Sequence, residues 1–148
     1  MAAPLISLFP DTTMRPLLAA TKAFSDPTRI RVIAALRSGE LCVCELCDVL
    51  GVVQSTLSTH LQYLRNTGLV ETRNDGKWVY YSLTKELARV ADALFKIYRS
   101  DLEQDALLGK DAEQLEKRLA LRKKDNCCLG SKPKQPAARR RNVTARRP

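Results

Sequence analysis

The chain has 148 residues, enough for one compact domain with a core and a tail but not for two independent domains. Its hydrophobic residues, 45% of the total, fall in short periodic runs far from the roughly 20 apolar residues of a bilayer-spanning helix, and the opening MAAPLISLFP lacks the regions of a secretory signal, so a cytoplasmic location is expected. The net charge of +9 sits mostly at one end: residues 126–148 hold seven Lys or Arg and no acid, leaving 18 basic against 16 acidic groups elsewhere, a balance that suits selected contacts to nucleic acid by the body and sequence-blind attraction to phosphates by the tail.

Residues 1–13 carry Pro4 and Pro10 and no sustained period, which predicts a flexible arm. From Met14 to Phe24 the set Leu17, Leu18, Ala20, Ala23 and Phe24 recurs at helical spacing. Ser25-Asp26-Pro27-Thr28 then reads as a stop, a cap and a proline in the first turn, where a missing N–H costs nothing. The next helix runs from Pro27 to about Arg37, with Ile30, Ile33, Ala34 and Leu36 as its expected buried stripe, and Ser38-Gly39 ends it.

The segment Glu40 to Leu50 begins extended and becomes a third helix, closed by Gly51 in the left-handed conformation that glycine tolerates best. In the following run, Leu57, Leu61 and Leu64 form an apolar stripe, and Gln54, Ser55, Thr56, Ser58, Thr59, Gln62 and Tyr63 fall mostly off it. Two short helices joined by a tight turn, the second presenting small hydrogen-bonding side chains at its start, predict a helix-turn-helix. Leu69 to Arg73 and Trp78 to Leu83 are rich in β-branched and aromatic residues and flank Asn74-Asp75-Gly76-Lys77, a hairpin signal. In that position a hairpin is a wing, whose tip brings Arg73 and Lys77 toward phosphates or the minor groove.

Thr84 caps a helix to roughly Arg99, with Leu87, Val90, Ala91, Leu94, Ile97 and Tyr98 at helical intervals, and Ala112 to Lys124 is a further charged helical segment. From Asn126 onward proline and basic residues prevail, which predicts disorder. The expected fold class is mostly α with a small β-hairpin, a dimeric winged helix-turn-helix. Residues 1–13 are the arm, 14–100 the DNA-binding and dimerisation domain, 101–125 a C-terminal helical extension and 126–148 a basic tail. The first helix and the Thr84–Arg99 helix are the expected dimer interface, which predicts a palindromic operator with half-sites about one turn of DNA apart.

The five cysteines form a triplet, Cys42, Cys44 and Cys47, and a pair, Cys127 and Cys128. In a reducing compartment such clusters argue for metal or metalloid binding or thiol chemistry before disulfides. The run ELCVCELCDVLG followed by QSTLSTHLQYLRNTGLVETRNDGKWVYYSL resembles the ArsR/SmtB family of metal-responsive repressors, over about residues 14–100. Its C-V-C-x-x-C element resembles the arsenite- and antimonite-sensing branch. The resemblance implies a homodimer on operator double-stranded DNA near its own promoter, released when metalloid binds Cys42, Cys44 and Cys47. It implies no catalytic residue and no required cofactor, with As(III) or Sb(III) as inducer.

Trivalent arsenic is thiophilic and carries a lone pair, so three thiolates arranged as a pyramid satisfy it, and soft sulfur selects against hard ions. On a helix Cys44 and Cys47 share one face, with about 5–6 Å between their Cβ atoms. Cys42 would lie about 200° around an ideal helix from Cys44 and joins the pyramid only if the helix start bends or is non-helical. Ligation is therefore expected to distort that start and, through shared packing, displace the helix that reads DNA. Gln54, Ser55, Thr56, Ser58 and Thr59 lie on the reading face; Gln54, Ser55, Ser58 and Thr59 are the base-edge candidates, and Arg65, Arg73 and Lys77 the phosphate candidates.

Blander readings stand beside these. A single helical cysteine is usually a core residue, Cys127-Cys128 is as well explained by incidental thiols as by a second site, and His60 reads as a half-buried or DNA-facing residue, not a ligand. The bland alternative for Arg65 is a solvated charge near the end of its helix. A cadmium, lead or zinc sensor of the same fold is an alternative, disfavoured because residues 1–41 hold no cysteine to supply an N-terminal ligand. A thiol redox sensor is a second. A thiol oxidoreductase or arsenate-reducing enzyme fits poorly, because the C-x-x-C lacks a βαβ context and an anion-binding loop.

Overall fold

The computed structural model describes residues 14–122. Asp26 caps the second helix by accepting the Arg29 N–H at 2.9 Å, and Pro27 occupies the first turn as the sequence predicts. The elements in chain order are α1 (Arg15–Ala23), α2 (Pro27–Leu36), β1 (Leu41–Cys42), α3 (Val43–Leu50), α4 (Gln54–Asn66), β2 (Val70–Asp75), β3 (Trp78–Leu83), α5 (Lys85–Ile97), α6 (Arg99–Glu103) and α7 (Ala106–Arg122). The expected arm, residues 1–13, and the expected tail, residues 126–148, lie outside the described residues.

Helices α2, α3 and α4 surround a core of Val32, Ile33, Leu36, Leu46, Leu50, Leu57, Leu61 and Leu64. The α4 stripe is the one the periodicity predicts. That of α2 is rotated from it: Val32 and Ala35 are buried, whereas Ile30 and Ala34 are half-buried. α7 packs against α2 as well as α3. Gly51 closes α3 at φ 61°, and Gly76 opens the two-residue wing turn at φ 56°.

The wing is larger than the sequence suggests. Beyond the β2–β3 hairpin, paired from Val70↔Leu83 to Asp75↔Trp78, the extended residues before α3 form a third antiparallel strand, in the order β1-β3-β2. Its register sets Leu41 opposite Tyr81 and Cys42 opposite Tyr80. Thr84 ties wing to helix: its N–H and hydroxyl both donate to the Leu69 carbonyl, while its oxygen caps α5 by accepting the Leu87 N–H.

The apolar residues expected along α1 and α5 are only partly core. Leu87 and Ala91 are buried, but Leu17 and Leu18 on α1, and Val90, Ile97 and Tyr98 on and after α5, are exposed. Tyr63 of α4 donates to the Ala19 carbonyl of α1 and carries the Arg29 guanidinium 4.5 Å over its ring, so α1, α2 and α4 are stapled by polar and aromatic contacts.

α7 starts six residues before the predicted Ala112 and lies along the body instead of leaving it. Three ion pairs join it to α2 and α3: Asp111 to Arg31, Arg118 to Asp48, and Arg122 to Glu45. Asp111 accepts from Arg31 Nε at 2.6 Å and Nη2 at 2.8 Å, with Arg31 also reaching the Leu50 carbonyl at the end of α3. Removing one partner of a pair this sequestered strands the other's charge. Asp111→Ala is expected to lower unfolding stability by about 3 kcal/mol, read from a urea midpoint at unchanged slope. A loss below about 0.5 kcal/mol, the level of an exposed pair, would show that the α7 contact carries little energy in solution.

Candidate thiol cluster and DNA-reading face

Cys42 is the last residue of β1 and the N-cap of α3, in an extended conformation (φ −83°, ψ 166°). The start of α3 is therefore non-helical at Cys42, the position where a site shared by all three sulfurs would need it. The Cys42 Sγ lies 3.1 Å from the Cys44 Sγ. Cys42 is buried, and the two sulfurs sit with Tyr80 and Trp78 of β3 in a small cluster apart from the main core. Cys47, one turn after Cys44, is half-buried. Burial pushes its thiol up from the usual range, with the charges of Asp48 and Cys42 adding in the same direction.

Cysteine at this cap position is a weak acceptor compared with Ser or Thr, and the stronger half of the capping arrangement comes from Glu45. Its carboxylate is fully buried and accepts the Cys42 N–H at 2.9 Å. The same carboxylate accepts Arg122 Nε at 2.6 Å and is paired to Arg122 Nη2, which also donates to the Glu40 carbonyl at 2.9 Å. Arg73 on β2 donates to both Glu40 oxygens, at 2.6 and 3.1 Å, and lies 4.6 Å over the Tyr80 ring. The Arg73 pair holds the Glu40 carboxyl below its usual range. One connected set of charges thus joins the thiol pair, the end of α7 and the root of the wing.

The residues predicted to touch DNA are distributed unevenly. Gln54, Ser55, Thr56, Ser58 and Thr59 are all exposed in the first half of α4, with Thr59 bonded back to the Ser55 carbonyl at 3.2 Å. Arg65 is exposed at the far end of α4. Lys77 stands at the wing tip with its Nζ 4.9 Å over the Trp78 ring. Arg73 is held by Glu40, so a phosphate contact from Arg73 requires exchanging that partner. His60 is half-buried, its Nδ1 3.7 Å from Asp26 and away from the thiols. Cys127 and Cys128 lie outside the described residues.

Glu45, Glu40, Arg122 and Tyr80 are the residues that sequence reasoning missed. The spacing Cys42-x-x-Glu45 mimics a capping box with sulfur in place of hydroxyl, a local signal for Glu45. For Arg122, 77 residues further on, no local signal exists.

Residues 26–72 match the arsR family of bacterial regulatory proteins. The chain is 40% identical over 95 residues to the arsenic resistance transcriptional regulator ArsR1 of Pseudomonas putida, an alignment covering 62% of this chain and 74% of that protein. The chain belongs to the arsR family. Its similarity to the Escherichia coli arsenical resistance operon repressor is 39% over 85 residues, covering 56% of this chain and 73% of the relative. A cadmium resistance regulatory protein CadC homologue of Staphylococcus aureus is 44% identical over 66 residues, 44% of this chain and 54% of that one. Among solved structures, HlyU of Vibrio cholerae superposes with a TM-score of 0.56 at 32% identity, covering 60% of this chain and 98% of HlyU. The homodimeric winged helix-turn-helix domain of Mycobacterium bovis Mb0332, at 24% identity and a TM-score of 0.56, covers 72% of this chain and 94% of the domain and shares the fold. This arsR-family chain is thus a winged helix-turn-helix transcriptional repressor, and its relatives are regulators of transcription, not enzymes. Among the described residues no helix is long and apolar enough to cross a membrane.

Glu45→Gln tests the connection between thiols and α7. It is expected to cost about 2 kcal/mol, the penalty of an under-satisfied buried group, and to speed hydrogen exchange both at the Cys42 N–H and across residues 118–122. Faster exchange at one of these two places alone would show that Glu45 does not couple them.

Proposed function

We propose that the chain represses an arsenic-resistance operon, binding operator DNA as a homodimer and leaving it when trivalent arsenic or antimony is captured by Cys42, Cys44 and Cys47. The observation that carries this reading is the sulfur contact at the α3 N-terminus: Cys42 has left the helical path and meets Cys44 at 3.1 Å, immediately before the helix-turn-helix. The two arsenic-resistance relatives support the same inducer.

When bound, the metalloid supplies three bonds to sulfur: each thiol condenses with one hydroxyl of arsenous acid, releasing one water per bond and giving a neutral product. The residues of the chain do the rest. Cys47 must be drawn toward the Cys42–Cys44 pair, which strains the capping bond from Cys42 N–H to Glu45. The strain has two exits. One is through α3 packing on α4, which carries Gln54, Ser55, Thr56, Ser58 and Thr59 as the base-reading set. The other is through β1, whose pairing with β3 holds the wing root and with it Arg73 and Lys77. Arg65 contributes a phosphate contact at the far end of α4. Because release depends on differential affinity for two conformations, operator and inducer weaken each other reciprocally.

The exposed Leu17, Leu18, Val90, Ile97 and Tyr98 support a two-fold interface built from α1 and α5. Ile97→Asp together with Leu18→Asp is expected to yield monomers in sedimentation and to weaken operator binding at least tenfold. A variant that remains dimeric would place the interface elsewhere.

The inducer is tested by gel shift with reduced protein. Wild type and the variants Cys42→Ser, Cys44→Ser and Cys47→Ser are expected to bind operator alike, and only wild type to release it with arsenite. The CadC homologue keeps a second reading in view: release by cadmium or lead with indifference to arsenite would transfer the function to divalent soft cations. Release by peroxide alone would make the thiols a redox sensor.

A further inference from the structure

Side chains alternate across a strand, and directly paired residues of neighbouring strands point the same way. Tyr80 of β3 is paired with Cys42 of β1 on one side and with Arg73 of β2 on the other, so these three share a face of the wing sheet, which Asp75, two residues beyond Arg73, joins. The opposite face, with Leu41 and Tyr81, packs on the main core. Glu40 lies one residue before β1, and its side chain spans the width of β3 to take Arg73. The guanidinium offers Nη2 at 2.6 Å and Nε at 3.1 Å to the two carboxylate oxygens, a forked geometry, while it rests 4.6 Å over Tyr80 and its Nη1 lies 3.6 Å from Asp75. Glu40 is itself anchored, because its carbonyl accepts Arg122 Nη2 at 2.9 Å.

Both side chains of this pair stay open to solvent, 52% for Arg73 and 40% for Glu40. An anion arriving from solvent can therefore reach Arg73 and compete for it. Lys77 differs. At the wing tip it leans on the Trp78 ring, and among the described residues no carboxylate pairs with it. A phosphate gains Lys77 by simple approach, whereas it gains Arg73 only by replacing Glu40.

We propose that Glu40 is a built-in competitor of DNA phosphate for Arg73: it neutralises the wing root off DNA and lowers the affinity of the repressor for any duplex by the cost of the exchange. This rests on the reading of Arg73 as a phosphate contact given above. Phosphate contacts carry no base information. Glu40 therefore sets how tightly DNA is held and not which sequence is chosen.

The test measures DNA binding by the reduced full-length chain over a range of salt, using two probes: a palindromic duplex selected by the wild-type protein from random DNA, and a random-sequence duplex. The proteins are wild type, Glu40→Gln, Arg73→Gln and the double variant, and glutamine at position 40 keeps the backbone carbonyl that Arg122 uses. Glu40→Gln is expected to tighten binding at least about threefold, the scale of a well-formed exposed ion pair, and by the same factor on both duplexes. Arg73→Gln is expected to weaken binding and to reduce the salt slope by about 0.9 for each protomer engaged. In the Arg73→Gln background the gain from Glu40→Gln is expected to shrink to the general effect of removing one screened carboxylate, under about twofold. Equal gains in both backgrounds would overturn the inference, since Glu40 would then act as a general negative charge and not through Arg73; so would a gain confined to the palindrome. No gain in either background, with Arg73→Gln still weakening binding, would overturn it too and leave the reading of Arg73 intact. Wild-type affinity and slope in Arg73→Gln would remove that reading, and this inference with it.

Discussion

A buried carboxylate organises this molecule. Glu45 is fully sequestered at the start of α3, where an ionised side chain without partners would cost several kcal/mol. It is tolerated because a local and a distant group converge on it: the Cys42 N–H three residues before it at the strand-to-helix boundary and the Arg122 guanidinium at the end of α7. Neither partner can be withdrawn without exposing the other's dependence on it. The cysteine-bearing turn and the docked C-terminal helix therefore share one carboxylate.

The same turn belongs to the sheet. By pairing β1 with β3, the fold sets Cys42 opposite Tyr80 and makes the thiol cluster share a strand with the wing. Tyr80 in turn underlies Arg73, which is held to Glu40 just before β1. A deformation at the cysteines thus has a second route besides the packing of α3 on α4: it can pull on the wing root. Capped helices and paired strands move as units, so a displacement of this turn is expected to be discrete and not graded.

Charge is arranged differently on the two faces. The first half of α4 is exposed and carries hydroxyls and an amide, groups suited to base edges and lacking strong charge. Around the thiols, positive charge is paired within the molecule: Arg73, Arg118 and Arg122 each face a carboxylate. That allocation accounts for a near-neutral body whose basic groups are numerous yet not all available to phosphates.

Much of the plan was legible along the chain, because it depends on near neighbours. The Asp26-Pro27 start of α2, the Gly51 stop, the Leu57, Leu61 and Leu64 stripe, the Gly76 turn and the Thr84 cap are all local rules of backbone geometry and burial period. The cysteine spacing likewise carried a condition: a site shared by all three sulfurs needs a non-helical Cys42, since side chains two apart do not share a helical face. What the chain order could not reveal is which distant groups would meet. That β1 becomes a third strand, that α7 turns back along α2 and α3, and that Arg122 reaches Glu45 depend on contacts 38 to 80 residues apart, with no periodic trace in either partner. Tertiary structure alone decided that the thiols, the wing root and the C-terminal helix form one connected site.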